Sequence, residues 1–512
     1  MEDKERYKKG ERAIAPLVAV VVPALIVTVL MVVTAITSQP RVVIPIEVAA
    51  PDPDPISTDV DDPPKPEPDP QELTDVVPEI AVDTPTPQTP TEIFPAQQPM
   101  PAAEPVALKP APKEAVTMIK SPVHLPSLFG VREAGNRAKY ISGGADGVYG
   151  SAATEAAVLK ALRWLKKTQK TDGSWAGNPV SNTGLAVLCY LAHGEVPSKS
   201  REFGDTMRLA LDYLINAQCG VGDEVRFRGA DGNEYAFLIA TYALCEAFGM
   251  TQNPNAKEAA LKGLVRIVRN QSPTGGWDYR LNKTSTRDDM SFAGWALQAL
   301  KAGKMAGLHP EGLDECIKKA IRCLATRNFR SGGFGYTAGG NPTGLTATGC
   351  LALQLLGFGE RAEVKSALDY MRAWRPAFDK DKVAEKSPGA CPQYYCYYAA
   401  QCKYQAGMKP GATPADKAAW QEWNAAMKAL YPKTIVTPEE TIDGPDGRPC
   451  AIGYWKNADA HGSGDTMATC LCALQLMVYY RYLPTTQASP HPSHVREKAR
   501  TFRREVCVDV DL

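Results

Sequence analysis

Hydrophobic positions fall into three regimes along this chain. Residues 13–37 carry no charge and are dominated by Ala, Val, Ile and Leu, enough to cross a hydrocarbon core of about 30 Å as one helix. Residues 38–117 lose that character and hold about half of all the prolines, in runs at 51–55 and 63–70 that exclude helix and sheet interiors. From residue 151 two kinds of helical pattern alternate. One is amphipathic, at about 152–169, 203–218, 256–271, 313–328, 361–374 and 415–430. Its first member sets Leu159, Leu162, Trp164 and Leu165 against Lys160, Arg163, Lys166 and Lys167. The other is apolar nearly all round, at about 182–193, 234–248, 289–303, 343–357, 392–406 and 464–481, and helices of that kind must be buried. Six of each in strict alternation predict an all-α fold, an (α/α)6 toroid of six inner and six outer helices.

The layout read from these regimes is a cytoplasmic head at 1–12, a transmembrane helix at 13–37 and an acidic, disordered, Pro-rich linker at 38–117. A Gly-rich strap at 118–150, the toroid at 151–483 and a tail at 484–512 follow. Lys4, Arg6, Lys8, Lys9 and Arg12 precede the span and only Arg41 follows closely. The excess of cationic residues on that side puts the N-terminus in the cytoplasm and the toroid outside. A cleaved signal peptide is the rival reading, but the apolar stretch is too long and lacks a small-x-small site. The linker, in a polyproline II bias, reaches at most about 240 Å at about 3.1 Å per residue. Head, single span and acidic Pro-rich spacer together resemble TonB-type energy transducers. That layout implies a bacterial inner-membrane protein with a periplasmic C-terminal domain. The span departs from that family in having no His or Ser between Ala13 and Thr37.

Charge balances over the whole chain, and the basic residues outside the linker are spaced along helix faces. No polybasic run with interleaved aromatics occurs, which argues against a nucleic-acid partner. The thirteen cysteines are odd in number and irregular in spacing. Cys189, Cys245, Cys350, Cys470 and Cys472 fall in apolar helices, where cysteine behaves as a small hydrophobe. One or two bridges around Cys391, Cys396 and Cys402 stay open.

Four amphipathic helices end alike: Gln169…Gly173-Ser-Trp175, Gln271…Gly275-Gly-Trp277, Asn328…Gly332-Gly-Phe334 and, more loosely, Gly453-Tyr454-Trp455. Gly beyond a helix C-terminus turns the chain at little steric cost. The Gln amide can bond a neighbouring helix end and the aromatic can stack on it, so the motif is read as structural glue. It resembles the QW repeat of squalene and hopene cyclases. The wider pattern, with Ser291-Phe-Ala-Gly-Trp295 and Thr343-Gly-Leu-Thr-Ala-Thr348, resembles the prenyltransferase and squalene-cyclase repeat superfamily, and most of all its membrane-anchored bacterial members of undefined role. The known chemistries of that superfamily lack their residues here. No DxDD occurs, Asp289-Met-Ser291 replaces the zinc-binding Asp-x-Cys, and GCGEQ is missing. No cofactor or metal is called for.

Candidate chemistry gathers at the starts of the inner helices: Asn182, Thr183, Glu234, Asp288, Asp289, Ser291, Asn341, Thr343, Asp465 and Thr466. In a toroid these ring one mouth, either as N-caps or as a rim offering acid and base. His461, in a Gly-flanked loop between Asp459 and Asp465, is read as solvent-facing or catalytic. Trp295, Tyr394, Tyr395, Tyr397 and Tyr398 are read as cavity lining or as packed core. The reading that results is a binding or scaffold module held out on a spacer. The alternative is an enzyme on an isoprenoid lipid or a glycan, acting through Asp288, Asp289, His461 and Asp465. An envelope protein is a further candidate partner.

Overall fold

The computed structural model describes residues 132, 134–141, 148–230, 232, 234–378 and 391–481. The predicted head, span at 13–37, linker and tail lie outside them. No helix of the described residues is long and apolar enough to cross a membrane.

The twelve toroid helices form as the two patterns require. The inner set is α3 (Pro179–His193), α5 (Glu234–Thr251), α7 (Met290–Met305), α9 (Thr346–Leu355), α11 (Pro392–Met408) and α13 (Asp465–Leu476). The outer set is α2 (Ala152–Thr168), α4 (Gly204–Ala217), α6 (Pro254–Arg269), α8 (Leu313–Cys323), α10 (Ala362–Tyr370) and α12 (Pro414–Thr434). Each inner helix packs on the next, and α13 packs back on α3, so the inner ring is closed. Burial separates the layers: 14 of the 15 residues of α3 are buried, against 6 of the 16 in α6. Asn178, Asn253 and Thr413 cap α3, α6 and α12, each followed by Pro at the first helical turn, where a missing N–H costs nothing.

The repeated helix end works as a staple around the outer layer. Gln169 Nε2 donates to the Thr206 carbonyl of α4 at 2.9 Å, and Gln271 Nε2 to the Cys316 carbonyl of α8 at 2.8 Å. The tryptophans are buried behind these amides, and Nε1 of Trp175 and Trp277 donates to Leu165 and Ile267 at the end of the preceding outer helix. Gly173 and Gly275 hold φ of +90° and +96°, and a Cβ there would lie 2.2 Å from the Leu209 carbonyl and 2.3 Å from that of Lys319. Gly453 N–H donates to the Lys160 carbonyl of α2 at 3.0 Å, which fastens the last repeat to the first.

Several boundaries differ from expectation. The fold is not purely helical: three two-stranded hairpins, β1 (Gln218–Cys219) with β2 (Arg226–Phe227), β3 (Phe329–Arg330) with β4 (Gly333–Phe334) and β5 (Thr441–Asp443) with β6 (Pro449–Ala451), fill outer-to-inner connections. The expected helix at 464–481 breaks at Met477 into α13 and a short α14 (Val478–Arg481). The strap, expected to be irregular, contains α1 (Ala134–Ile141). Asn328 does not staple the outer layer; its amide donates to the Asp288 carbonyl at 2.8 Å. Phe334 is buried behind Gly332, in edge contact with Phe329. Gln218 is a staple the sequence reading missed, donating to Ala259 of α6 at 2.8 Å. Gly222 stands at the right spacing after it but no aromatic follows. Among the described residues the cysteines, with Cys391, Cys396 and Cys402, are free thiols.

Candidate binding mouth at the N-terminal end of the inner ring

The axis of the ring is filled by side chains that meet from opposite sides. At the C-terminal end of the inner helices Arg132 pairs with Glu246 of α5 at 2.9 Å, both almost fully buried. Arg481 of α14 donates to the Tyr242 hydroxyl at 2.8 Å and lies over the rings of Tyr242 and Tyr397. Burial works to raise the Glu246 carboxyl, but the guanidiniums of Arg132 and Arg481 outweigh it and hold the pKa below the usual range.

Midway along the axis Trp295 of α7 stacks on Tyr397 of α11 at 5.7 Å and meets Tyr398 edge-on at 6.0 Å. The Tyr397 hydroxyl donates to Gln298 Oε1 at 2.9 Å, and Gln298 Nε2 donates to the Tyr398 hydroxyl at 3.3 Å. These rings are buried, so three of the five aromatics expected to line a cavity, Trp295, Tyr397 and Tyr398, are core.

Above them the other two, Tyr394 and Tyr395, are half-buried at the N-terminal mouth. The Tyr394 hydroxyl donates to the Ser291 carbonyl at 3.3 Å and lies 3.4 Å from that of Tyr398. Tyr235 of α5 and Ser291 of α7 join hydroxyls at 2.7 Å. Burial pushes the Tyr394 and Tyr235 phenols well up, with the Asp289 charge adding to the effect on Tyr235. Both stay protonated at neutral pH and keep an O–H to donate. The Arg287 guanidinium sits over Tyr279 at 5.2 Å and Tyr336 at 5.0 Å, a second aromatic group near the start of α7.

The predicted acids do not converge here. Asp288, at φ +51°, turns toward the outer layer, where it accepts from Thr274, from Ser272 and from Arg327 beyond α8. Asp289 is fully buried as the N-cap of α7, accepting from Phe292 N–H at 3.1 Å, Ser291 Oγ at 2.6 Å and Arg287 Nε at 3.3 Å. Glu234 makes a bidentate pair with Arg266 of α6. Asp465 accepts from Asn457 N–H at 2.8 Å. His461 is exposed, and its other neighbour, Asp459, turns inward to accept from the amides of Gln393 and Tyr394 at 2.7 and 2.9 Å. Asp288, Asp289 and Glu234 are therefore engaged in a cap or an ion pair, and half-buried Asp465 holds one backbone N–H.

Asp459 was not singled out in the sequence as a site residue. It supplies the cap that α11 lacks locally, since Cys391 makes no side-chain cap. Burial raises its pKa to about 7. Cys391 beside it is pushed up to about 11 by burial, so it carries no thiolate at neutral pH. Among the described residues no group of His, Cys, Asp and Glu could hold a metal ion.

No family model matches the chain, and no curated protein matches it, so the cyclase resemblance stays at the level of the repeat residues. Solved structures that it is similar to include the α-1,6-mannanase GH76A of Salegentibacter sp. HEL1_6. That match has 16% identity over 64% of this chain and 98% of that one, with a TM-score of 0.44. The endo-β-1,4-glucanase CMCax of Acetobacter xylinum matches at 12% identity over 54% and 99%, with a TM-score of 0.36. The unsaturated glucuronyl hydrolase of Streptococcus agalactiae matches at 11% over 64% and 92%, with a TM-score of 0.43. The ring assignment rests on the helix contacts within this chain.

Proposed function

We propose that the toroid is a binding module whose N-terminal mouth takes a neutral, hydroxyl-rich ligand of the glycan class. The observation that carries this reading is the hydroxyl group Tyr235–Ser291–Tyr394 set over an axis closed by Trp295, Tyr397 and Tyr398. Neutral phenols and a serine match the alternating donors and acceptors of sugar hydroxyls, and half-buried rings offer a flat apolar face. An isoprenoid chain would need an apolar tunnel, whereas Trp295 meets Tyr397 and Tyr398 across the axis. Hydrolysis of a glycan would need two carboxylates facing one ligand, and among the described residues Asp288, Asp289 and Glu234 are held in a cap or in ion pairs. On this reading the span at 13–37 and the linker hold the mouth away from the cytoplasmic membrane of a bacterium, on its outer side.

Calorimetric titration of the full chain with short gluco- and manno-configured oligosaccharides tests the proposal. Saturable binding that Tyr235→Phe and Tyr394→Phe both weaken supports it. Heat signals for polyprenyl phosphates alone, or turnover of an oligosaccharide lost in Asp289→Asn, would overturn it.

A further inference from the structure

Hydrogen bonds at the mouth run in a fixed direction, because groups that can play only one role stand at the ends of its chains of hydroxyls. Asp289, paired with Arg287 at 3.3 Å, is a carboxylate and can only accept. Ser291 Oγ lies 2.6 Å from it and gives Asp289 its single proton. The Tyr235 hydroxyl lies 2.7 Å from the same Ser291 oxygen, so the phenol is the donor of that bond. Both protons are thus committed within the protein, from Tyr235 to Ser291 and from Ser291 to Asp289. Toward a ligand, Tyr235 and Ser291 can only accept.

A second chain of bonds starts from Arg481, which can only donate. Its Nη1 reaches the Tyr397 hydroxyl at 3.4 Å, and Tyr397 gives its own proton to Gln298 Oε1 at 2.9 Å. Gln298 Nε2 donates to the Gly294 carbonyl and to the Tyr398 hydroxyl, both at 3.3 Å. A carbonyl has no proton to give, so the Gly294 contact fixes which end of the amide is the nitrogen. Tyr398 is left to donate to Tyr394, 3.4 Å away. Tyr394 gives its proton to the Ser291 carbonyl at 3.3 Å. That last bond is long and neutral at both partners, and a ligand acceptor can take the proton at little net cost. The Ser291 bond to Asp289 is shorter and charge-assisted, and it is the one that holds.

The two chains meet at the two oxygens of Ser291, one leaving an acceptor pair and the other an exchangeable donor. Arg287 holds the second oxygen of Asp289, so the cation and the carboxylate offset each other beside them. Resting on the glycan reading above, we propose that the mouth recognises two neighbouring hydroxyls of one sugar in a fixed sense. The first donates to the Tyr235–Ser291 pair, and the second accepts from Tyr394. A sulfate ester or an acyl group at the first position has no proton for the pair, and an ammonium group at the second has no lone pair for Tyr394. The ligand class narrows to glycans with an unsubstituted vicinal diol on the bound residue.

The test is calorimetric titration of the full chain with gluco- and manno-configured disaccharides and with their mono-deoxy and mono-deoxyfluoro forms at each hydroxyl. Fluorine keeps lone pairs and loses the proton. At one position both changes should weaken binding about tenfold, the equivalent of about one hydrogen bond. At the adjacent position the deoxy form should lose about as much, and the deoxyfluoro form no more than about threefold. Ser291→Ala keeps the Asp289 cap and should erase the penalties at the first position alone. Tyr394→Phe should erase those at the second alone. Fluorine tolerated at every hydroxyl, discrimination at positions that are not neighbours, or penalties that neither variant moves would overturn this proposal and leave the glycan reading standing. Failure of every parent disaccharide to bind would overturn both.

Discussion

The two ends of the ring handle polarity in opposite ways. At the strap end, Arg132, Glu246 and Arg481 are buried with Tyr242 and Tyr397 around them. At the mouth, half-buried Tyr235 and Ser291 join hydroxyls, the Tyr394 hydroxyl donates to the Ser291 carbonyl, and the carboxylate bonded to Ser291, Asp289, is spent on a helix cap. Buried charge in a low dielectric is tolerable only with its partners complete. That end is therefore a fixed closure, and a ligand could enter it only by displacing a paired charge. Neutral hydroxyls exchange partners at a net difference of about 1 kcal/mol each. The mouth is the end that can trade internal hydrogen bonds for those of a ligand.

The sharpest way to break this contrast is Glu246→Ala. It leaves two guanidiniums on the axis without their anion, and should cost about 3–5 kcal/mol of stability in urea unfolding. A loss below about 1 kcal/mol would mean the strap end is no closure. Next comes pH. The Asp459 pKa is raised from 3.8 to about 7, so the folded chain holds that proton longer than the unfolded one. Wild-type stability relative to Asp459→Asn should fall as pH climbs from 4 through 7 and level off above. A rising difference would contradict the burial argument.

Asp289→Ala removes the α7 cap and should cost about 1–2 kcal/mol without abolishing ligand binding. Equal losses of binding and stability would move Asp289 from a cap to a ligand contact. Tyr394→Phe should leave the unfolding midpoint nearly unchanged and weaken oligosaccharide binding about fivefold to tenfold, the equivalent of about one hydrogen bond. His461→Ala should change stability by no more than about 0.5 kcal/mol and leave binding alone. A larger effect on binding would extend the mouth to the loop before α13.

The parts legible beforehand share a physical character. The alternating layers follow from hydrophobic period, which each helix carries locally. The staples at Gln169 and Gln271 were readable because Gly and Trp follow at fixed spacing. Gln218 makes the same bond to Ala259 without the aromatic and went unread. Asp288 shows the opposite failure. Its place at the start of an inner helix suggested the rim, but a left-handed φ and Arg327, 39 residues downstream, turn it outward. Tyr397 and Tyr398 became core, and Tyr394 became rim, because Trp295 and Gln298 approach from across the ring rather than along the chain.

By itself the sequence determined which helices are inner and which outer, where most of them start and stop, and which glycines the outer turns require. Backbone conformation and burial are set mostly by neighbours within about one helical turn of the chain. Only the tertiary structure decided what the polar side chains do. Glu246 meets Arg132 across 114 positions, and His193 meets Glu155 across 38. Whether such a group is a cap, a seal, an ion-pair partner or a ligand contact depends on which charge or hydroxyl the fold brings within about 3 Å of it.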